Sequence, residues 1–414
     1  MAATKPKTKV ARSVPPQKLR YYVGIDAGNT NTEALLIKDE QNGSLNVASA
    51  TVYSMTSWVY EYAGLISNLR AVSDYSGSTI NYKAGHSAYE GRVFAVGGAA
   101  HGTQANVASL MGDDDDNKAK YYLPVFLHVL AANVKEADDF EVIVVASVDD
   151  MTLAPAIKES LLGLHRFDVM DTSPSGEMVC RSMTVNVHSG VTREGYGTAW
   201  DQKDQSDIDF FAPNIIADGG GREFSAMVVK GRKLMSNGVE VDSAATLAEA
   251  SVPVGGNLLT TRLVELPSLR QKFREKNIPL DRDMINSRIM DGTFTFTPGD
   301  GTEPLNFSDE ALSIIQELIP VWVDLVSRVT KGQGGSIKSL IMTGGVFLTA
   351  YKGDPDNEDE GLRSPWSIAQ IFQREFIYKP VHRTDSNILN ARGNLKFALG
   401  LDKSLPKPLP LSTR

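Results

Sequence analysis

One short layout occurs twice in this chain. Residues Tyr22–Lys38 read YVGIDAGNTNTEALLIK: an apolar run, a glycine turn holding an aspartate, and a second apolar run. Residues Asn214–Lys230 read NIIADGGGREFSAMVVK and repeat that order. In each copy a glycine stands two positions after the aspartate, Asp26 to Gly28 and Asp218 to Gly220. Such a layout predicts an antiparallel hairpin, and a hairpin tip with glycine can aim backbone N–H groups at an anion. A duplicated unit of this kind predicts two similar halves. Facing each other, the two tips can grip a chain of phosphates from both sides.

The length of 414 residues agrees with two domains. Between the glycine turns, Glu141–Ala146 reads as a buried strand and Ala154–Leu164 as a helix. Met183, Val185 and Val187 alternate with polar residues, the pattern of a half-buried strand. After the second turn helical spacing takes over. Leu247 and Leu258–Lys276 fit a helix broken near Pro267. Asp309–Thr330 fits another, with Pro320 predicting a kink or two shorter helices. Ser339–Met342 then reads as a strand running into Thr343-Gly344-Gly345, and Ser386–Leu399 as a closing helix. Strands first and then mixed structure, twice over, predict two similar α/β domains with a ligand cleft between them.

Composition narrows the function. A net charge of -8 argues against direct nucleic-acid binding, though not against DNA held through a basic partner. One cysteine, Cys180, excludes a disulfide framework and fits the cytoplasm. The six histidines are scattered, with no zinc-binding spacing. The apolar stretch Tyr121–Ala132 is too short to span a membrane, so neither a membrane nor a membrane partner is expected. The basic run 1–20 and the proline-rich 403–414 read as disordered tails.

Three loops carry the chemistry. In Asp26-Ala27-Gly28-Asn29-Thr30-Asn31-Thr32, Gly28 and Asn29 tolerate a tight turn and the threonines offer hydroxyls to phosphate oxygens. Asp26 would be repelled by phosphate and is better suited to hold the waters of Mg2+. In Asp218-Gly219-Gly220-Gly221 the third glycine exceeds what a hairpin needs. In Leu340–Val346 a strand runs into Thr-Gly-Gly and then a helix, letting backbone approach a flat ligand closely.

Together the three loops resemble the nucleotide-binding pattern of the actin-like ATPase superfamily: phosphate loop one, phosphate loop two, adenosine loop. Within it the chain is most similar to ParM-type bacterial actins. Ala95–Ala99, Val191–Gly195 and Asn387–Gly393 carry that likeness, the last resembling an ANARG-type helix start. The resemblance implies an actin-like fold of two duplicated RNase H-like α/β domains. Domain I would span 21–198 and be completed by a C-terminal helix at 386–402, and domain II would span 199–385. It implies ATP in the cleft, with GTP not distinguished, and Mg2+ held through water by Asp26 and Asp218. Glu194 would orient the attacking water, with Asp218 as its catalytic companion. Gly28, Asn29, Thr30 and Asn31 on one side, and Gly219, Gly220 and Gly221 on the other, would surround the phosphates. Gly344, Gly345 and Val346 would line the nucleoside. The implied function is ATP-driven assembly of head-to-tail filaments. These would segregate plasmid DNA through a basic adaptor of ParR type bound to centromere-like DNA.

The pattern has departures. Glu223, Phe224 and Ser225 stand where many ParM-like chains continue with threonines and an aspartate. Ser147-Val148-Asp149 replaces a Gly-Leu-Pro-like turn, and Asp149 reads as a helix cap. The alternative function is a small-molecule, sugar-type kinase of the same superfamily, for which Asp149 and Asp150 are the base candidates. No Walker A pattern is present, and no GxGxxG follows a strand.

Overall fold

The computed structural model describes residues 18–28, 31–39, 45–62, 77–101, 108–109, 116–172, 178–236, 239–297, 304–333, 336–353 and 365–402. Asn29, Thr30, nearly all of the N-terminal tail and the whole of 403–414 lie outside them.

The first hairpin forms as predicted. Strand β1 (Leu19–Ala27) pairs antiparallel with β2 (Asn31–Lys38), from Tyr21 opposite Lys38 to Ala27 opposite Thr32. Strand β3 (Thr51–Thr56) extends the meander along β2. Then come β4 (Trp58–Tyr62), β5 (Gly77–Ala84), β6 (Val93–Gly97), the short helix α1 (Gly98–His101) and β7 (Ala108–Ser109). Helix α2 (Asp116–Asn133) leads into β8 (Asp139–Val148), which lies parallel to β1. Helix α3 (Ala154–Leu161) and strands β9 (Gly163–Thr172) and β10 (Met178–Arg193) follow, β10 parallel to β8. The sheet order is β3-β2-β1-β8-β10-β9-β5-β6-β4-β7. Helix α4 (Tyr196–Gln202) closes this half.

The second half repeats the plan. Strands β11 (Pro213–Gly219), β12 (Phe224–Ser236) and β13 (Val239–Val252) form the antiparallel meander. Helices α5 (Gly256–Glu265), α6 (Pro267–Glu275) and α7 (Arg282–Met290) come next, then the two-residue strands β14 (Thr295–Phe296) and β15 (Leu305–Asn306). Helix α8 (Ser308–Thr330) leads to β16 (Ser339–Thr343), parallel to β11. After β17 (Ala350–Tyr351), β18 (Trp366–Ser367) and α9 (Ile368–Gln373) comes β19 (Lys379–His382), parallel to β16. Helix α10 (Leu389–Asp402) ends the described chain. The order β13-β12-β11-β16-β19 matches β3-β2-β1-β8-β10 strand for strand.

Burial explains the strand sequences. The central strand β8 is covered on both faces, so its residues form a near-continuous apolar run rather than an alternating one. The apolar stretch Tyr121–Ala132 becomes the buried body of α2, packed in the first core. Among the described residues no helix is long and apolar enough to cross a membrane. The predicted break at Pro267 is present, with that proline opening α6. Pro320 does not split its helix: α8 runs unbroken from Ser308 to Thr330. Pro320 lies on the exposed side of α8, as does Gln316 one turn before it, so the carbonyl that loses its partner can turn to water. Leu247 belongs to β13, not to a helix.

The closing helices are exchanged between the halves. Helix α10 buries Ala391, Leu395 and Ala398 against Tyr22, Leu35, Ile143 and Val145 of the first sheet. Helix α4 belongs to the first half in sequence. It places Ala199 against Ile216, Met227, Val229 and Ile341 of the second sheet. The helices touch through glycine. A Cβ on Gly393 would lie 1.7 Å from the Gly197 carbonyl oxygen, and one on Gly197 would lie 2.3 Å from that of Asn390. Asp201 of α4 and Arg392 of α10 lock the crossing through paired contacts of 2.8 and 2.7 Å, with Asp201 only 1% exposed.

Candidate functional site

Duplication places the two aspartates in matching positions. Asp26 stands at the end of β1 opposite Ser147 of parallel β8, and Asp218 at the end of β11 opposite Thr343 of parallel β16. Ser147 Oγ donates to Asp26 Oδ1 at 2.6 Å. Thr343 Oγ1 donates instead to the Ser386 carbonyl at 2.8 Å, which ties β16 to the start of the closing segment. Asn390, in the first turn of α10, joins the halves. Its Nδ2 donates to Asp218 Oδ2 at 3.1 Å, while its Oδ1 accepts from the backbone N–H of Gly195 and of Thr198. Its amide also supports Asp26.

Both carboxylates are raised, and Asp26 acts on Asp218. Burial and then the charge of Asp26 push Asp218 up to about 7. Burial also raises Asp26, with hydrogen bonds from Ser147 and Asn390 and the charge of Lys118 opposing it. Glu33, on β2 and 8% exposed, is pushed up to about 8 by burial and then by Asp26. Glu194, in the turn after β10, is raised well above the usual range by burial. Lys118 opposes that rise, and Asp26, Asp149 and Asp218 add to it. The site is an acidic cluster with one buried ammonium against it.

That ammonium is Lys118 of α2, which has no counterpart in the sequence-based expectations. Its Nζ lies 2.8 Å from Asp149 Oδ1 and 2.9 Å from Glu194 Oε1, and its side chain is 1% exposed. Asp149 is therefore an ion-pair partner and not a helix cap. The turn before α3 is held by Asp150, which accepts from the Thr152 N–H at 2.8 Å and the Thr152 hydroxyl at 2.7 Å. Burial raises the Asp149 pKa, yet Lys118 more than offsets it and the carboxyl is held low. A carboxylate held low is a poor general base, and Asp150 is exposed, so neither suits the kinase alternative.

The loops pack on one another. The Gly28 N–H closes the first hairpin by donating to the Asn31 carbonyl at 2.9 Å, so Gly28 shapes the turn rather than offering a donor. In the second loop the carbonyls of Gly220, Gly221 and Arg222 accept from the N–H groups of Gly256, Asn257 and Gly255 at 2.9, 2.6 and 3.1 Å. This seats the loop on the start of α5. The third loop runs from β16 into a single 3-10 turn, Gly345–Leu348, rather than an α-helix. Gly344 has φ 88, and a Cβ there would lie 2.5 Å from Asp218 Oδ1. Val346 fills the space where a Gly219 side chain would be, 2.6 Å from that Cβ position. Loops two and three thus form one wall beside Asp218. Glu223 stays close enough to raise the Asp218 pKa. Three cations of α5 and α6 already have partners. Arg262 pairs with Glu317 at 2.8 Å, Arg270 donates to the Val264 carbonyl at 2.7 Å, and Lys272 pairs with Glu310.

The residues suit a hydrated divalent cation. Among the described residues no cluster of three or more His, Cys, Asp or Glu offers a full ligand set. Two buried carboxylates with raised pKa values, one raised in part by the other's charge, are a site a cation would relieve, and Mg2+ keeps much of its water. The same electrostatics set a pH dependence. A carboxyl raised in the folded chain contributes stability below its unfolded pKa and loses it as pH rises through the folded value. Histidines held low by burial (His128 at about 4, His165, His382) act in the opposite sense, but only below about pH 7.5. Thermal melts of the cation-free chain should therefore fall from about pH 7.5, by less than about 1.4 kcal/mol per pH unit for one group, and level off above the Glu33 value of about 8. Glu33→Gln should flatten that slope; an equal slope in the variant would remove Glu33 as its source.

No protein-family model matches this chain, and no curated protein matches it. Solved structures do. An archaeal actin homolog, Ta0583, aligns with TM-score 0.61 at 14% identity, covering 93% of this chain and 100% of that one. The same homolog has been solved in complex with ADP, with TM-score 0.59. Bacillus thuringiensis ParM in apo form aligns with TM-score 0.56 at 13% identity, covering 93% and 97% of the two chains. A subunit of a 15-stranded ParM filament from Clostridium botulinum aligns with TM-score 0.59 at 13% identity, covering 92% and 99%. With its duplicated sheets and exchanged closing helices, this chain has the actin-like ATPase fold.

Proposed function

We propose that this chain is an ATP-dependent, filament-forming actin-like protein of ParM type that hydrolyses ATP and segregates DNA in the cytoplasm. One observation carries the reading. Asp26 and Asp218 stand at equivalent strand ends of the two duplicated halves and share Asn390, and the charge of Asp26 raises the Asp218 pKa. Such a pair calls for a cation between the halves, and a cation there calls for a polyphosphate. The archaeal neighbour solved with ADP and the ParM neighbour solved as a filament support the nucleotide and the self-assembly respectively.

In this reading Asp26 and Asp218 hold Mg2+ through its waters. Bound there, the ion would neutralise the phosphates and withdraw charge from the leaving group. The turn Gly28-Asn29-Thr30-Asn31 and the loop Gly219-Gly220-Gly221 flank the phosphates. Gly344, Gly345 and Val346 line the nucleoside. Glu194 orients the attacking water, a task that asks for position more than basicity because phosphoryl transfer is mainly positioning and charge stabilisation. The domain boundaries follow the two sheets, with 386–402 returning to complete domain I. A basic DNA-binding adaptor of ParR type suits a chain of net charge -8.

Pelleting and electron microscopy with ATP, ADP and no nucleotide test the reading, with GTP as a competitor to set the base preference. Filaments should form with Mg-ATP and shorten as phosphate is released. A monodisperse monomer at high concentration with Mg-ATP would refute the filament, and no phosphate release would refute the ATPase.

A further inference from the structure

We propose that Lys118 is a positioning residue for hydrolysis: held between Asp149 and Glu194, its ammonium fixes the Glu194 carboxylate in place. This rests on the reading of Glu194 given above. Lys118 sits in the first turn of α2, whose next turns carry Tyr122 and Phe126, both 0% exposed, so its backbone is anchored in the first core. Its ammonium spans two strand ends, reaching Asp149 after β8 and Glu194 after β10. One carboxylate would suffice to neutralise a buried lysine. The second contact does something further. Asp149 holds the ammonium from one side, so it cannot follow Glu194, and Glu194 is held to a fixed point. The contact takes only Oε1 of Glu194, leaving Oε2 to accept from a water.

The surroundings make that ammonium necessary. Asp26 from β1, Asp149 from the end of β8 and Asp218 from β11 all act against a charge on Glu194, and so does burial. Lys118 is the cation that opposes them, and it also lowers Asp26 and Asp218. Tyr122, one turn along α2, is too strongly raised to ionise near neutral pH. Without Lys118 to offset burial and the three carboxylates, the Glu194 pKa rises further.

The test uses the full chain as Lys118→Met, Lys118→Arg and the double variant Lys118→Met with Asp149→Asn. Lys118→Met should lower kcat on the order of 10- to 100-fold with KM nearly unchanged. It should also lower Tm, because two carboxylates lose their partner. The double variant should regain Tm and remain slow, while Lys118→Arg should regain part of the turnover. Turnover that returns together with Tm in the double variant would reduce Lys118 to a structural role and overturn the inference, as would a Lys118→Met protein as fast as wild type. A second readout does not depend on activity: the carbon-13 titration of Glu194, assigned by its loss in Glu194→Gln. Its midpoint should move up in Lys118→Met, and an unmoved midpoint overturns the inference. If wild type releases no phosphate, the ATPase reading fails by itself, and this titration still decides whether Lys118 acts on Glu194.

Discussion

Glu194→Gln should slow phosphate release from ATP on the order of 10²- to 10³-fold while leaving nucleotide affinity within about threefold. Glutamine keeps the size of the side chain and one acceptor oxygen but removes the charge. It also loses the ion pair with Lys118, whose Nζ lies 2.9 Å from Glu194 Oε1. Under the proposed role of Glu194, the substitution removes both the orientation of the water and the charge that makes its protons easy to share. Binding should survive because the loops proposed to flank the phosphates do not depend on Glu194. The second loop is seated on α5 by the backbone bonds of Gly220, Gly221 and Arg222. If filaments disassemble after hydrolysis, they should persist in this variant for as long as ATP is present. Single-turnover phosphate release beside equilibrium binding of a fluorescent ATP analogue separates the two effects. Wild-type turnover would remove Glu194 from the mechanism. A collapse of binding would make it a ligand rather than a water-orienting group.

Gly393→Ala should destabilise the folded chain on the order of 3 kcal/mol or more, against the ordinary preference of a helix for alanine. The added methyl would lie 1.7 Å from the Gly197 carbonyl oxygen and 2.3 Å from its carbon. Both obstacles are backbone, so no rotamer change relieves them and the two helices must part. Parting them strains the Arg392–Asp201 contacts and moves Asn390 away from Asp218. Gly400→Ala supplies the control on the same helix, since a Cβ there meets nothing within 4 Å. That variant should be neutral or gain up to about 1 kcal/mol. Urea unfolding of the pair measures the difference. Equal stability of the two would mean that α4 and α10 are not in close contact.

What the sequence made legible was local. A hairpin is announced by two apolar runs and a glycine turn in one short window, so β1–β2 and β11–β12 could be read directly, and with them Asp26 and Asp218. The third loop was readable for the same reason, although its 3-10 turn was not. Lys118 was not readable, because it opens a helix whose remaining turns look like plain core and its partners lie far along the chain at Asp149 and Glu194. Asn390 reads as a helix cap from its neighbours, yet it bonds to Gly195, Thr198 and Asp218. Asp149 was misread in the same way, since a carboxylate before a helix looks like a cap until a distant ammonium is seen beside it. Pro320 carries a local warning of a break that tertiary packing overrides, with one face of α8 buried along its whole length. The exchange of α4 and α10 has no local signature, because each helix is amphipathic toward a sheet that its sequence does not name.

The exchange also sets an order of events during synthesis. A nascent chain emerging from the ribosome can pair every strand of the first sheet while Asn390 is still untranslated. Until α10 appears, Tyr22, Leu35, Ile143 and Val145 have no cover. The amide that bridges the two aspartates is also missing.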